Sequence, residues 1–356
     1  MNDFADALRL PRAHGGAVGS GLLRSHPEDF VVREWLGFEA DGEGEHWLLT
    51  VRKRGANTQW VAKRLGQIAN VHPRDVGFAG LKDRNAVAEQ AFTVPVRSAV
   101  PNWLVVSGDG FEVVRAQRHR RKLKRGALKG NDFQIVIRDF TGDRAALATR
   151  LAGSEAAGVP NYFGPQRCGR EGANLRRAVA HFTGQRVIED RFERGFALSA
   201  ARALLFNAVL AARIDAGTWN RFEPGDVANL DGSNSIFVPE SIDPGAIDAA
   251  LLERCAQLDI HPTGPLWGRG EPSTSGSVQQ LEKDIASRSA VLAEGLASAG
   301  LEQERRALRL RVRALTHSFD GNDVTLRFRL GRGCFATAVL HELLQDAFDM
   351  ETPESD

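Results

Sequence analysis

The distribution of apolar residues predicts a sheet in the first 150 positions of the chain. Ile135 and Ile137 alternate with polar residues, as expected for a strand that buries one face. An acidic, glycine-rich turn at 41–44 separates the first two apolar segments. The segments predicted to be strands are 30–35, 46–51, 91–96, 111–117 and 133–138.

Residues at helical spacing predict two helices in the same region. Asn57 and Thr58 offer an N-cap to the first helix, whose apolar face comprises Val61, Leu65, Ile68 and Ala69. A second helix is predicted at about 143–151. Strands and helices in one region indicate an α+β fold with a mostly antiparallel sheet that buries one face.

Helical spacing prevails from about residue 158 onward. A cap at Ser199 begins one long helix, and Pro244 starts another. Residues 261–268 contain two prolines and two glycines, and they predict a stiff loop before a long helix that includes 281–296. The block 158–306 is therefore predicted to be a mainly α domain.

The end of the chain returns to alternation. Apolar residues alternate with arginines at 308–312, and 324–330 repeats the pattern, so both segments are predicted to join the first sheet. A last helix is predicted after Phe335. We therefore expect 1–157 and 307–356 to form one domain, with 158–306 inserted into it.

Composition limits the number of domains, the kind of nucleic-acid surface and the cellular compartment expected for this chain. Its 356 residues suffice for two domains, and a formal net charge of +1 means that any nucleic-acid surface must be local. Three widely spaced cysteines, Cys168, Cys255 and Cys334, suggest neither a disulfide framework nor a zinc site. The chain shows no signal-peptide pattern and no apolar run of about 18 residues, so we expect neither export nor membrane insertion. A cytoplasmic location is expected.

A concentration of basic residues follows the fourth predicted strand. This basic strip contains no acidic residue and predicts contact with phosphates, although a solvated face is the common alternative. Its members are Arg115, Arg118, Arg120, Arg121, Lys122, Lys124, Arg125 and Lys129. The next residues bring Asn131 and Phe133, and an amide and an aromatic ring can read and stack on an extruded base. The alternative is that Gly130-Asn131 is a turn and Phe133 belongs to the core.

Asp83 is the candidate for chemistry. A short apolar strand with Gly77 and Gly80 is predicted to end in a turn at 81–84, which places Asp83 at a strand end. Flanking Lys82 and Arg84 would favour the charged carboxylate that a nucleophile or general base needs. A solvated turn without chemistry is the alternative. Phosphate-loop, dinucleotide, zinc-protease and serine-hydrolase motifs are absent from the sequence, so catalysis would rest on side chains such as Asp83.

Four segments together resemble the tRNA pseudouridine synthase D (TruD) family. They are 78–87 (FAGLKDRNAV), 126–133 (GALKGNDF), 159–167 (VPNYFGPQR) and 333–337 (GCFAT), and with 198–202 (LSAAR) they cover nearly the whole chain in the family order. The resemblance implies that a uridine at position 13 in the D arm of tRNA is isomerised to pseudouridine without a cofactor. It also implies a catalytic domain built from both chain ends, with the family's own domain inserted.

The resemblance also implies roles for individual residues. Asp83 matches the catalytic aspartate, and Arg24 matches a basic position, often lysine, that would pair with it. Cys168, Cys334 and His341 depart from the family pattern. Six positions are candidates for binding the substrate, and one of them, Lys82, lies beside the aspartate. They are Phe30, Asn131, Phe335, Phe133, Arg24 and Lys82. We expect tRNA as the partner, a monomer, and no metal or cofactor.

Two other classes of protein compete with this interpretation. A non-catalytic RNA-binding protein would use the basic strip and would need neither Asp83 nor Arg24. An RNA motor would need a phosphate loop. Three chemical routes also stay open for Asp83: attack on the anomeric carbon, addition to the pyrimidine ring, or removal of a ribose proton.

Overall fold

The computed structural model describes residues 10–96, 102–239, 248–345 and 347, which pack as two compact units. The sheet unit contains Gly19–Asp143 and Arg313–Gly333. The helical unit contains Arg144–Val312 together with the described residues of 10–18 and 334–347. These boundaries differ from 157 and 307, because the helix after residue 143 and the strand at 309–310 both pack within the helical unit. The roles assigned to the two domains stay predictions.

The secondary structure confirms the predicted α+β class. The strands are β1 (Gly19–Leu23), β2 (Phe30–Trp35), β3 (His46–Lys53), β4 (Gly77–Phe78), β5 (Val87–Pro95), β6 (Ser107–Gly108), β7 (Phe111–His119), β8 (Gly130–Gly142), β9 (Val159–Pro160), β10 (Ala228–Leu230), β11 (Ile236–Phe237), β12 (Ile260–Leu266), β13 (Glu304–Ala307), β14 (Arg309–Leu310), β15 (Arg313–Asp320) and β16 (Asp323–Gly331). The α-helices are α1 (Thr58–Ile68), α2 (Arg144–Ala157), α3 (Ala173–Phe182), α4 (Arg191–Asp215), α5 (Ala249–Ala256), α6 (Gly276–Arg288), α7 (Ala290–Ser298) and α8 (Ala336–His341).

The sheet unit is built on one large, mostly antiparallel sheet with the strand order β15-β16-β8-β2-β5-β3-β7-β6. β1 pairs with β8, and β4 pairs with β5. Only β2 and β5 run parallel among the paired strands of this sheet. As predicted, the segment 324–330 joins the sheet, because β16 pairs with β8 from Val324 to Gly331.

The two faces of this sheet differ in polarity. Phe30 lies opposite Ile135, and Val32 lies opposite Phe133, so these buried side chains share one face. The opposite face carries cross-strand ion pairs in which Glu89 meets arginines from β2 and β3. The prediction of a sheet with one buried face therefore holds in this unit.

Helix α1 covers part of the buried face. The side chain of Asn57 accepts a hydrogen bond from Gln59 N at 2.8 Å, which makes it the predicted N-cap. Val61 and Leu65 are fully buried in a cluster with Phe92 of β5. Burial of each such side chain stabilises the fold by about 1.5–3 kcal/mol. Ile68, which the helical spacing assigned to this face, is 38% exposed.

The helical unit packs around α4. This 25-residue helix is long and apolar enough to cross a membrane by length and composition. Its apolar side chains nevertheless form a core with other helices of the unit: Leu204 and Leu205 are buried in a cluster with Leu292 and Leu296 of α7.

The predicted strand at 308–312 does not join the large sheet. Arg309 and Leu310 pair instead with Pro160 and Val159 in the helical unit. Arg309 is 3% exposed, and its guanidinium is buried at low cost because acceptors at four residues bind it. These acceptors include His261 Nδ1 at 3.0 Å and the carbonyl of Cys255 at 2.7 Å. The prediction that 308–312 joins the first sheet was therefore wrong.

Three further predictions for the helical unit were wrong. The long helix does not begin at Ser199, because α4 begins at Arg191 and the side chain of Asp190 is its N-cap. Most of the proline-containing segment at 261–268 lies in strand β12, which ends at Leu266. This strand pairs with β10 through its first half and with β13 through its second half. The long helix that includes 281–296 divides at Ser289, whose φ of −124° lies outside the helical region. The predicted start of a helix at Pro244 lies outside the described residues.

Candidate active site

The Asp83 carboxylate lies in the segment 79–86 between β4 and β5, called here the site loop. Its Oδ2 accepts a hydrogen bond from Arg24 Nη1 at 2.7 Å. Its Oδ1 accepts one from the backbone N–H of Asn85 at 2.9 Å. Both oxygens are thus oriented, while the side chain keeps 30% of its surface exposed. Such a carboxylate is held in place and can still be reached by a substrate.

Arg24 follows β1 and reaches Asp83 from a position 59 residues earlier in the chain. Its φ of 58° places the backbone in the left-handed region, which turns the chain out of the strand. The guanidinium lies over the ring of Phe30, 4.2 Å from its centroid. The structure therefore brings together three of the residues that the resemblance singled out: Asp83, Arg24 and Phe30.

Lys82 and Arg84, the two cations that flank Asp83 in the sequence, have other partners in the structure. Lys82 Nζ forms an ion pair with Glu34 Oε1 at 2.7 Å, and Glu34 is 2% exposed. Arg84 Nε donates to the carbonyl of Gly55 at 3.0 Å. Since both flanking cations have other partners, Arg24 is the cation that pairs with the Asp83 carboxylate. The effect of the flanking charges on Asp83 stays a prediction.

Polar side chains beneath the site loop hold its backbone. Gln90 Nε2 donates to the carbonyl of Gly80 at 2.6 Å. The hydroxyl of Thr58 donates to Gln90 Oε1 at 2.9 Å and accepts from the backbone N–H of Lys82 at 3.1 Å. Glu34 and Gln90 were not identified from the sequence. The available signal was their position along the strand. Each lies on the strand face whose other side chains, at every second residue, are buried and apolar.

An aromatic group lies next to the ion pair on β2, β8 and β16. The rings of Phe30 and Phe133 meet edge to face with centroids 6.1 Å apart. Phe133 also stacks on Phe328 at 5.4 Å. Phe30 is 5% exposed and Phe133 is 8% exposed, so Phe133 is mainly a core residue, as one of the two interpretations held.

Asn131 carries an unsatisfied acceptor. It lies on β8 opposite Glu34 and Leu330, and the pair Gly130-Asn131 is strand and not a turn. The side-chain oxygen of Asn131 is buried and receives no hydrogen bond from the described residues. A buried acceptor without a donor costs about 1–3 kcal/mol, so a donor from a bound molecule is the natural partner.

Phe335 belongs to the helical unit, where it precedes α8. Its ring is 6.2 Å from that of Phe163, and the guanidinium of Arg167 lies 5.6 Å from its centroid. Arg306 lies 4.1 Å over the ring of Phe163. Burial lowers the pKa of Arg306 to about 10 and also lowers that of Arg167. The result is a cationic and aromatic cluster around Phe335.

The basic strip is partly neutralised by the acidic loop between β2 and β3. Arg120 pairs with Glu43, and His119 Nδ1 lies 2.7 Å from Asp41 Oδ2. Arg125 stacks on Phe78 at 3.9 Å. Some cations of the strip, called here the unpaired cations, have side chains that form neither an ion pair nor a hydrogen bond in the part of the chain that the structure describes. They are Arg121, Lys124, Arg125 and Lys129.

In the part of the chain that the structure describes, no cluster of three or more His, Cys, Asp or Glu side chains could hold a metal ion.

Comparison with known proteins gives one consistent result. The family model for tRNA pseudouridine synthase D (TruD) matches residues 15–198 and 194–343. Proteins of that name from Xanthomonas campestris pv. campestris (strain B100) and Methylococcus capsulatus are each 46% identical, over 96% and 94% of this chain and 95% and 94% of theirs. A solved Methanosarcina mazei structure described as a TruD protein shares the fold, with a TM-score of 0.74, 20% identity and coverage of 98% of this chain and 99% of that one.

Proposed function

The chain belongs to the tRNA pseudouridine synthase D (TruD) family, and on that premise we propose that it isomerises the uridine at position 13 in the D arm of tRNA to pseudouridine. The proposal assigns catalysis to Asp83 and needs no cofactor. The single observation that carries the assignment is the Asp83–Arg24 pair, in which both carboxylate oxygens are oriented and the side chain stays partly exposed.

The reaction is balanced without an outside reagent. The bond between the ribose C1′ and the uracil N1 breaks, the freed base turns, and a new bond forms between C1′ and C5. The proton on C5 is lost and N1 gains one, so the product is an isomer of the substrate. Asp83 acts by attack on C1′, by addition to the uracil ring, or by removal of a ribose proton, and its oriented carboxylate supports all three routes.

Selection of uracil is proposed for Asn131. The buried, unsatisfied side-chain oxygen of Asn131 is an acceptor, and uracil presents an N–H donor at N3. Cytosine carries an acceptor at the same ring position, so it would leave the oxygen of Asn131 unpaired. A site built to hydrogen-bond one partner rejects an analogue that lacks the donor.

Retention of the freed base is proposed for the aromatic residues. The target base must leave its stack before it can react, and apolar side chains commonly hold an extruded base. Phe30, which lies beneath the Arg24 guanidinium in the sheet unit, is the proposed contact. The role of Phe335, which belongs to the helical unit, stays a prediction from the family resemblance. Phe133 supports Phe30 from the core and is proposed to act through it.

Binding of the tRNA backbone is proposed for the unpaired cations of the basic strip. Their side chains have no acidic partner among the described residues, so their charge is available to phosphates. Paired cations such as Arg120 contribute less, because a phosphate must compete with Glu43.

We also propose that the chain acts as a monomer in the cytoplasm. The buried thiols of Cys168 and Cys255 form no disulfide, and burial raises the pKa of both, which makes them unreactive. These properties fit a reducing compartment.

The deciding experiment compares the wild type with Asp83→Asn on tRNA that carries uridine at position 13. We expect the variant to bind tRNA with a Kd close to that of the wild type and to form no pseudouridine, because the amide keeps the shape but loses the charge. Asp109→Asn, at an exposed turn between β6 and β7, is the matched control and should keep full activity.

Two outcomes of this experiment would contradict the proposal. Turnover by Asp83→Asn would remove the aspartate from the chemistry. Tight binding of tRNA by a wild-type protein that forms no pseudouridine would instead favour the non-catalytic RNA-binding class.

A further inference from the structure

Lys53 is a fully buried lysine at the end of β3, with 0% of its surface exposed. Its ammonium group donates to three backbone carbonyls: those of Asp83 at 2.7 Å, Ala56 at 2.9 Å and Lys82 at 3.3 Å. An ammonium has three donors, so this environment uses all of them. Two of the three acceptors belong to the site loop.

This arrangement is costly for the folded chain. A buried ammonium without an ion pair loses its hydration, and burial lowers the pKa of Lys53 to about 8. Asp83 and Glu34 favour the charged form from a distance, whereas Lys82 disfavours it. An apolar side chain of similar length would avoid the cost of desolvation. What it could not do is bind the carbonyls of Lys82 and Asp83.

We propose that Lys53 is a positioning residue that holds the backbone of Lys82 and Asp83, and thereby sets the direction in which the Asp83 carboxylate faces the substrate. Arg24 orients the side chain of Asp83, and Lys53 anchors its main chain. This inference rests on the proposed catalytic role of Asp83. Lys53 itself is shielded from solvent and does not touch the substrate.

The position of Lys53 gives the wild type a specific pH dependence. The charged amine satisfies three carbonyls, but the neutral amine has only two N–H donors and turns a lone pair toward the third carbonyl. The groups that act on this equilibrium are Asp83 and Lys82 of the site loop and Glu34 of β2. We therefore expect the site loop to loosen, and the single-turnover rate to fall, as the pH rises through about 8.

The test compares the wild type, Lys53→Met and the control Lys63→Met, which removes an exposed lysine of α1. The kcat, the KM for tRNA and the single-turnover rate are measured between pH 6.5 and 9. For Lys53→Met we expect kcat to fall about 10- to 100-fold, as misplacement of a catalytic group by about 1 Å would cause, with KM within about twofold. The fall in rate above pH 8 should be absent from this variant and present in the control.

Several outcomes would overturn the inference. Wild-type activity that stays constant between pH 7 and 9 contradicts it even if Lys53→Met does not fold. A folded Lys53→Met with full kcat and an unchanged pH profile removes the positioning role while it leaves Asp83 in place. Absence of pseudouridine from the wild-type reaction overturns the proposed function, and this inference with it.

Discussion

Removal of the Arg24 guanidinium is the most direct test of how Asp83 is oriented. Arg24→Met keeps most of the length of the side chain and deletes the donor that lies 2.7 Å from Asp83 Oδ2. Among the described residues, the Asp83 carboxylate would then keep one hydrogen bond, the one from Asn85 N. We expect the carboxylate to rotate away from its productive direction.

The size of the effect follows from the interactions that the substitution removes. A hydrogen bond to a charged group contributes about 1.5–3 kcal/mol, and a cation over an aromatic ring contributes about 0.5–1 kcal/mol at a partly exposed site. With Arg24 at 16% exposed and Asp83 at 30%, we take about 2–3 kcal/mol as the combined loss. Since about 1.4 kcal/mol corresponds to a factor of ten, kcat/KM should fall roughly 30- to 150-fold.

Arg24→Lys separates charge from geometry. The ammonium keeps the positive charge but is a point donor, and it cannot stack on Phe30 as a planar guanidinium does. We expect this variant to lose only about 3- to 10-fold in kcat/KM, because the charge-assisted hydrogen bond can form again.

The assay is single-turnover formation of pseudouridine on tRNA, with the melting temperature of each variant as a check on folding. Arg33→Met is the matched control, because Arg33 lies on the face of β2 opposite to Phe30 and pairs with Glu89 at 3.5 Å. If folded Arg24→Met retains kcat/KM within threefold of the wild type, orientation of Asp83 by Arg24 is refuted.

Three further predictions concern the base, the backbone of the tRNA and stability. Asn131→Leu should lower kcat/KM about 5- to 150-fold, because the acceptor for uracil N3–H is lost. The melting temperature is measured beside it, and an unchanged kcat/KM would remove Asn131 from base recognition. Replacement of the unpaired cations of the basic strip by glutamine should reduce the slope of log K against log salt by about 0.7–0.9 for each phosphate that is no longer neutralised. Arg120→Gln should change this slope less, because Arg120 pairs with Glu43. If the multiple variant and the wild type show equal slopes, the RNA surface lies elsewhere. Burial lowers the pKa of His341 to about 4 from 6.5, so the unfolded chain binds a proton first and the free energy of unfolding should decrease as the pH falls from about 6.5 to 4. The decrease should reach about 3 kcal/mol relative to His341→Gln, measured by urea unfolding at each pH, and parallel curves for the two proteins would contradict it.

Much of the sheet unit could be predicted from local sequence. The alternation at Ile135 and Ile137 marks a strand with one buried face, and the N-cap at Asn57 marks the start of α1. Both signals are local, because side chains two apart in a strand, or three and four apart in a helix, share a face wherever the element lies.

Local patterns failed where distant parts of the chain supply the partners. Arg309 alternates with apolar residues as an exposed strand residue would, yet acceptors from other segments of the helical unit bury it. The prolines of β12 suggest a loop, but this strand changes pairing partner halfway along its length. Neither outcome follows from spacing along the sequence.

The candidate site divides in the same way. Short motifs such as 78–87 and 126–133 were enough to identify the family and its catalytic candidate, because each is a continuous stretch of residues. How Asp83 is held became visible only in the folded chain: Arg24 orients its carboxylate, Lys53 anchors its backbone, and Lys82, its immediate neighbour, pairs with Glu34. The physical reason is that a charge interacts according to distance in space. The fold brings residues 59 and 30 positions away within hydrogen-bond distance of Asp83, whereas the side chain of Lys82, the residue next to it, pairs with Glu34.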